Sequence, residues 1–349
     1  MEPFRREHAD YGPAAPGVTA AAETAPSADA DAAGRQRPAP PDAFLEHRPL
    51  LFSLAYRLLG SVHDAEDAVQ DAYLRWRTQD AASIENPAAF LTTVVTRLCL
   101  DRLRSAAVRR EVYIGQWLPE PLPTQRDLPA AHGGLGADPE ASAALRESVS
   151  MGMLLLLERL SPAERAVFVL REAFDVPYPR IAEIVGHSVE ACRQLFHRAG
   201  QRVGSPPGRA ARAAARRTPP DPARDRRIVE GFLAAAQNGD LDALEALFHE
   251  DVVVIADGGG RFSAGTRPIL GAQKAARLYG RVFPRRYRGS AYTHTSLNHQ
   301  PALLVRRPTL TFAFVFDVDD AGRIAHLYLV GNPDKLSHLD PCAARPPAP

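Results

Sequence analysis

Cysteine is scarce and scattered: Cys99, Cys192 and Cys342 are the only three in 349 residues, an odd number without C-x-x-C spacing. That excludes a disulfide scaffold and a cysteine zinc site, and it fits a reducing compartment. Long apolar runs are missing as well. Leu154 to Leu157 is the longest leucine cluster, far short of the roughly 20 residues of a spanning helix, so it reads as a core stripe. The first residues have no basic start followed by an apolar core, so no secretory signal is read and a cytoplasmic location is expected. Charge of one sign is also absent, with 42 Lys and Arg against 41 Asp and Glu, so any pull toward nucleic acid must be local.

What is present divides the chain. Residues 1–42 are Ala, Pro, Asp, Glu and Gly with few large apolar side chains, and read as a disordered tail. From Phe44 the pattern is helical, with Leu51, Leu54, Leu58 and Leu59 on one stripe that Gly60 ends. Ser61 and Asp64 have capping-box spacing before a second stripe of Ala65, Ala68, Val69, Ala72 and Trp76. Asn86-Pro87 starts a third helix, completing an all-α unit over 43–111. Prolines 119, 121, 123 and 129 with Gly133-Gly134 mark a linker over 112–144. Helical pattern returns over 145–203, where Ser161-Pro162-Ala163-Glu164 is a capping box and Arg180 to Val203 outlines a helix-turn-helix. A second linker occupies 204–223. Residues 224–338 read as helices followed by an antiparallel sheet, with strands near 252–255, 302–306, 309–317 and 324–330, an α+β domain; 339–349 is a tail.

Three clusters carry chemistry. Asp64, Asp67 and Asp71 with Gln70 share one helix face, which is either a solvated surface or a dock for a basic partner. Between Arg97 and Arg110 five arginines face one aspartate, and Arg97 and Arg104 share a side suited to phosphate contact. Trp76 could offer an aromatic face to an unstacked base, although core packing is the commoner use, and the loop from Arg77 to Glu85 is a better place to hold a displaced base. On the second helix of the helix-turn-helix, Ser188, Glu190, Arg193, Gln194, His197 and Arg198 are the polar positions that would face base edges. Ten arginines against two aspartates between Arg193 and Arg227 add attraction for a phosphate backbone.

Asp64-Ala65-Glu66-Asp67-Ala68-Val69-Gln70-Asp71, then Asn86-Pro87 and the helix ending Leu100-Asp101-Arg102-Leu103-Arg104, resemble region two of an extracytoplasmic-function (ECF) sigma factor. Leu160-Ser161-Pro162-Ala163-Glu164-Arg165 and the helix-turn-helix resemble region four. Trp117-Leu118-Pro119-Glu120-Pro121, Asp257-Gly258-Gly259-Gly260 and Asn332-Pro333-Asp334-Lys335-Leu336 resemble the SigJ-like branch, in which a SnoaL-like (NTF2-like) domain follows region four. The resemblance implies a multidomain chain: a region-two helical bundle, a region-four helix-turn-helix and an α+β NTF2-like cone. It also implies a bacterial transcription-initiation subunit. Asp64, Asp67, Gln70 and Asp71 would bind core RNA polymerase. Trp76, Arg97 and Arg104 would engage the minus-ten element, and Ser188 to Arg198 the minus-thirty-five element. Pro49, inside a stretch the family makes helical, puts the first helix boundary in doubt.

Read physically, Trp117 is a large apolar side chain in a segment without a core and should bury itself against a neighbouring domain. The three SigJ-like strings are expected to form a latch between the C-terminal domain and the sigma modules. No cofactor, metal or membrane is expected, and a small-molecule ligand in the C-terminal pocket is allowed for. Two alternatives stand beside the sigma factor. One is an enzyme using Asp257, Tyr292, His294, His299 or His326; the other is a one-component DNA-binding regulator, which leaves the region-two module unexplained.

Overall fold

A computed structural model of the chain describes residues 41–80, 84–111, 113–124, 149–204, 221–262 and 265–339. Residues 1–40 and 340–349 of the expected tails, Cys342 among them, and parts of both linkers and of the loop after Arg77 lie outside these residues, and α1 begins at Pro41, two residues inside the stretch expected as the first tail. Helices α1 (Pro41–Leu59), α2 (Val62–Arg77) and α3 (Pro87–Glu111) form the first bundle. α1 runs through Pro49. The proline forfeits one bond to the carbonyl of Leu45, and Leu45 lies on the exposed side, where water can take that acceptor. The stripe Ala65, Ala68, Val69, Ala72 and Trp76 is buried as its spacing predicts.

α4 (Met151–Leu157), α5 (Pro162–Glu172), α6 (Tyr178–Val185) and α7 (Val189–Val203) follow. The Ser161–Glu164 capping box forms in full at α5. Gly186 ends α6 in the left-handed conformation and Ser188 caps α7, the turn chemistry of a helix-turn-helix. The seven helices do not make two separate cores. One apolar cluster runs from Phe44 through Leu103 to Val203 and takes in residues of every one of them.

In the last third, α8 (Pro222–Asn238), α9 (Leu241–Leu247) and α10 (Ala272–Arg286) accompany strands β1 (Phe248–Asp257), β2 (Ile269–Leu270), β3 (Ala291–Leu297), β4 (Gln300–Arg306), β5 (Thr311–Val318) and β6 (Ile324–Val330). The sheet order is β2-β1-β6-β5-β4-β3. The expectation of an antiparallel sheet needs correction: β1 pairs with β6 in parallel, and the other pairings are antiparallel. Between β1 and β6 the chain passes through β2, α10 and β3 to β5, which gives the long crossover a parallel pair needs.

Both sheet faces are buried. On β5, Phe312, Phe314 and Phe316 point into the cluster shared with α8 and α10, while Ala313 and Val315 point into a second cluster. That second cluster is completed from outside the domain by Leu118 of the first linker and Met151 of α4. α4 is apolar on all sides because it packs two ways, with Leu154 and Leu156 in the helical core and Met151 in the sheet's outer cluster.

Candidate functional sites

The acidic face of α2 keeps Asp67 and Gln70 exposed, with Asp64 and Asp71 half-buried. Asp71 forms an ion pair with Arg102 at 2.8 Å. Leu74 is 54% exposed one turn beyond, an apolar spot beside the carboxylates that charge pattern alone did not single out. Trp76 departs from its expected role. It is 2% exposed and packs against Phe90, so in this conformation no ring face is offered to a base.

Arg97 projects from α3 but is occupied: its guanidinium donates to the carbonyls of Glu183 (2.9 Å) and Ile184 (3.2 Å) at the end of α6. Those carbonyls lack intrahelical partners and sit at the negative end of a helix dipole, so a guanidinium there is favourable. Arg180 of α6 answers by donating to Ala89 O and Thr93 Oγ1 of α3. Arg104 pairs with Asp101 on the surface. On α7, Glu190, Arg193, Gln194, His197 and Arg198 are exposed, while Cys192, Leu195, Ala199 and Val203 turn inward. Ser188 Oγ is committed to the helix cap, Arg193 lies beside Glu190, and Arg198 faces the buried Glu164 at 3.6 Å.

The three strings from distant parts of the chain meet at one buried charge pair. Asp257, at the end of β1, is 0% exposed. Its carboxylate accepts from Lys335 Nζ (2.7 Å), Leu118 N (2.9 Å), Gly259 N (3.0 Å) and the Tyr113 hydroxyl (2.5 Å). Lys335 is 8% exposed at its side chain. Its ammonium donates also to Leu118 O at 2.6 Å and lies 4.1 Å from the Trp117 ring centroid and 4.9 Å from that of Tyr113. Both main-chain polar atoms of Leu118 are thus held by one ion pair, which draws its side chain into the sheet's outer cluster. Burial first, then the Asp257 carboxylate, pushes the Tyr113 phenol above its ordinary range.

Asn332 donates to the Tyr113 hydroxyl at 3.0 Å and its side-chain oxygen accepts from Asp334 N, while Pro333–Lys335 form a single 3₁₀ turn that aims Lys335 inward. Gly259 has φ 54°, and a Cβ there would come 2.5 Å from Asn332 Cγ, so this turn demands glycine. Trp117 is half-buried, and a Cβ at Gly60 would meet its Cη2 at 3.2 Å. The tryptophan is therefore clasped between the end of α1 and Lys335.

Glu120 serves the first bundle. Its side chain accepts from Ser61 Oγ (2.9 Å) and Val62 N (2.8 Å), and Ser61 Oγ accepts from Asp64 N. The Ser61 side-chain half of the expected Ser61–Asp64 box forms, and a carboxylate from the linker, placed at the positive end of α2, holds the Ser61 hydroxyl and the Val62 N–H. A further cluster had no sequence signal. Asn298, in the β3–β4 turn with φ 53°, accepts from Leu122 N and donates to the Tyr56 hydroxyl and Val149 O. Gln300 Oε1 accepts from Met151 N. Buried polar side chains tying four segments together are invisible to periodicity.

Of the residues of the enzyme alternative, Asp257 is consumed by the ion pair, His326 pairs with Asp317 at 3.0 Å and the Tyr292 hydroxyl donates to Tyr287 O, while the His294 Nδ1 is buried without a hydrogen-bond partner among the described residues.

One helical core bearing an acidic face on α2 and a helix-turn-helix, followed by an α+β domain, is the arrangement of a sigma-type transcription factor. Residues 43–109 match the Sigma-70 region 2 family and residues 150–203 the Sigma-70 region 4 family. The chain is 38% identical over 304 residues to the ECF RNA polymerase sigma factor SigJ of Mycobacterium tuberculosis, spanning 83% of this chain and 91% of that protein. It is 37% identical over 206 residues to the probable ECF RNA polymerase sigma factor SigI of the same species, spanning 58% and 64%. The crystal structure of M. tuberculosis SigJ superposes with a TM-score of 0.64 at 34% identity, covering 85% of this chain and 98% of that one. The chain belongs to the ECF RNA polymerase sigma factors.

Proposed function

We propose that the exposed face of α2, with Asp64, Asp67, Gln70 and Asp71, binds core RNA polymerase, and that the fused C-terminal domain sets how readily the two DNA-reading modules part. In this reading the chain is a regulator of initiation and not an enzyme. The buried Asp257–Lys335 pair gripping Leu118 carries the proposal. It fastens the linker between the modules to the C-terminal sheet, so loosening that domain frees the linker. Promoter engagement requires such freedom. Elements centred about 25 base pairs apart at about 3.4 Å each lie roughly 85 Å apart, whereas Arg97 and Arg180 hold α3 and α6 in hydrogen-bond contact. The same Arg97 proposed for promoter contact is tied to α6, so this arrangement corresponds to a closed state. Arg104 and the exposed side chains of α7 complete the proposed DNA surface, and Trp76 would join it only after leaving the core.

A specific observation favours a small-molecule ligand in the C-terminal domain as a second input. The Tyr279 ring packs against Phe232, Phe283 and Phe314, and its hydroxyl is buried with no hydrogen-bond partner among the described residues, a deficit that a small polar ligand would satisfy.

Transcription from promoter templates by core polymerase tests the sigma reading. The full chain should confer specific initiation, and Asp64→Ala/Asp67→Ala/Asp71→Ala should lose it together with polymerase binding while still folding. Wild-type-like binding by the triple variant would remove α2 from the docking role.

A further inference from the structure

A metal site had no place in the sequence reading, yet three side chains far apart in sequence bring ligand atoms together. His63 in the first turn of α2, Glu120 of the linker and His338 near the C-terminal end place nitrogen and oxygen ligand atoms within 4.8 Å of one another. His63 Nδ1 lies 3.0 Å from Glu120 Oε2, and the two imidazoles meet edge-on with centroids 5.7 Å apart. Adjacent ligands of a tetrahedral zinc with bonds near 2.0–2.1 Å are about 3.4 Å apart, so side-chain rotation has to widen the His63–Glu120 pair slightly and draw the remaining ligand atoms closer.

The surrounding hydrogen bonds orient the donors as a metal site needs. His338 Nε2 lies 2.7 Å from Pro121 O. A carbonyl only accepts, so this nitrogen carries the proton and Nδ1 is the ring's electron-pair donor. His63 Nε2 lies 3.0 Å from Ser337 Oγ, and Ser337 Oγ lies 3.4 Å from Asp334 O. With His63 donating to the serine and the serine to the carbonyl, Nδ1 is left to face Glu120. Ser61 Oγ and Val62 N fix the carboxylate. Each first-rank donor is therefore held by a second group, as in established histidine–carboxylate sites. His63 is 49% exposed at its side chain, which leaves an approach for the ion and room for water in a remaining position.

We infer that His63, Glu120 and His338 bind one divalent transition-metal ion of the zinc class, held by the two Nδ1 atoms and the Glu120 carboxylate, which pins the C-terminal segment to α2. The donors are borderline nitrogen and hard oxygen without thiolate, a set suited to Zn²⁺ or Co²⁺. The inference rests on donor geometry and stands apart from the proposed regulatory role.

Full-length protein freed of any histidine tag is titrated with Co²⁺ and then Zn²⁺, following the visible cobalt spectrum. One equivalent of Co²⁺ should bind with ligand-field bands of a nitrogen–oxygen set and be displaced by Zn²⁺. His63→Ala and His338→Ala should each weaken binding by about tenfold or more. His338→Gln, which keeps a donor for Pro121 O, should do the same and guards against a folding defect, checked by circular dichroism without metal. Zn²⁺ should also slow amide exchange over 333–339 in the wild type and leave it unchanged in His63→Ala. Absence of cobalt bands, a thiolate charge-transfer band, or binding unchanged in both histidine variants would overturn the inference.

Discussion

Replacing Lys335 by methionine keeps most of the side chain's length and removes its charge, so it isolates what the ammonium does. The Asp257 carboxylate then loses its counter-ion in a site with 0% exposure, and the Leu118 carbonyl loses its charged donor. Removing one partner of a buried ion pair costs about 3–5 kcal/mol. Three donors remain on the carboxylate, from Tyr113, Leu118 and Gly259, which places the expected loss near the lower end, about 3 kcal/mol. At about 1.4 kcal/mol per tenfold, the opening equilibrium of the linker should rise roughly a hundredfold. Hydrogen exchange of the amides between Tyr113 and Thr124, above all Leu118 N, reads this directly while the interior of α2 keeps its protection. Adding Asp257→Asn removes the stranded charge, so the double variant should recover part of the protection. Exchange at Leu118 within about threefold of wild type in Lys335→Met would refute the claim that the pair holds the linker.

Gly259→Ala should destabilise the same junction by about 1–3 kcal/mol, because the new methyl group meets Asn332 and the backbone sits at φ 54°; the expected sign is faster proteolysis between Tyr113 and Thr124, with α7 unaffected. Arg97→Ala with Arg180→Ala removes four hydrogen bonds between α3 and α6, and small-angle scattering of the free protein should then report a larger radius of gyration. An unchanged radius would mean that the shared apolar core alone keeps the modules together.

Local chemistry was legible wherever one short segment carried the whole signal. The Ser161 box, the Gly186 turn and the Ser188 cap each lie within a few residues and formed as read. α10 was missed although Ala275, Ala276, Tyr279 and Phe283 share its buried face, because four arginines, a lysine and Pro284 mask the period. β3 was missed because its exposed and half-buried residues mix polar with aromatic side chains. The parallel β1–β6 pairing joins segments some seventy residues apart and leaves no local trace. Trp76 illustrates a different limit. Its place on an apolar stripe favoured the core, while the family resemblance favoured DNA, and the structure places it with Phe90.

The buried outer face of the sheet was partly written in the sequence. Residues 311–316 are apolar after the initial threonine with no inside–outside alternation, which calls for cover on both sides. What supplied the cover, Leu118 and Met151 from the sigma modules, required the three-dimensional arrangement. Trp117 did bury itself between domains as an apolar ring in a coreless segment should, but less completely than Leu118 beside it. Glu120 escaped a structural reading because its partners, Ser61 and Val62, lie nearly sixty residues upstream.

The closed arrangement stands or falls on one distance. Spin labels at Arg75 on α2 and Gln201 on α7, both exposed positions, should give a single short separation by double electron–electron resonance in the free protein. In complex with core polymerase and promoter DNA, the separation should lengthen by tens of ångströms, toward the roughly 85 Å between the two promoter elements. An identical distribution in the free and promoter-bound states, with initiation intact, would contradict the account.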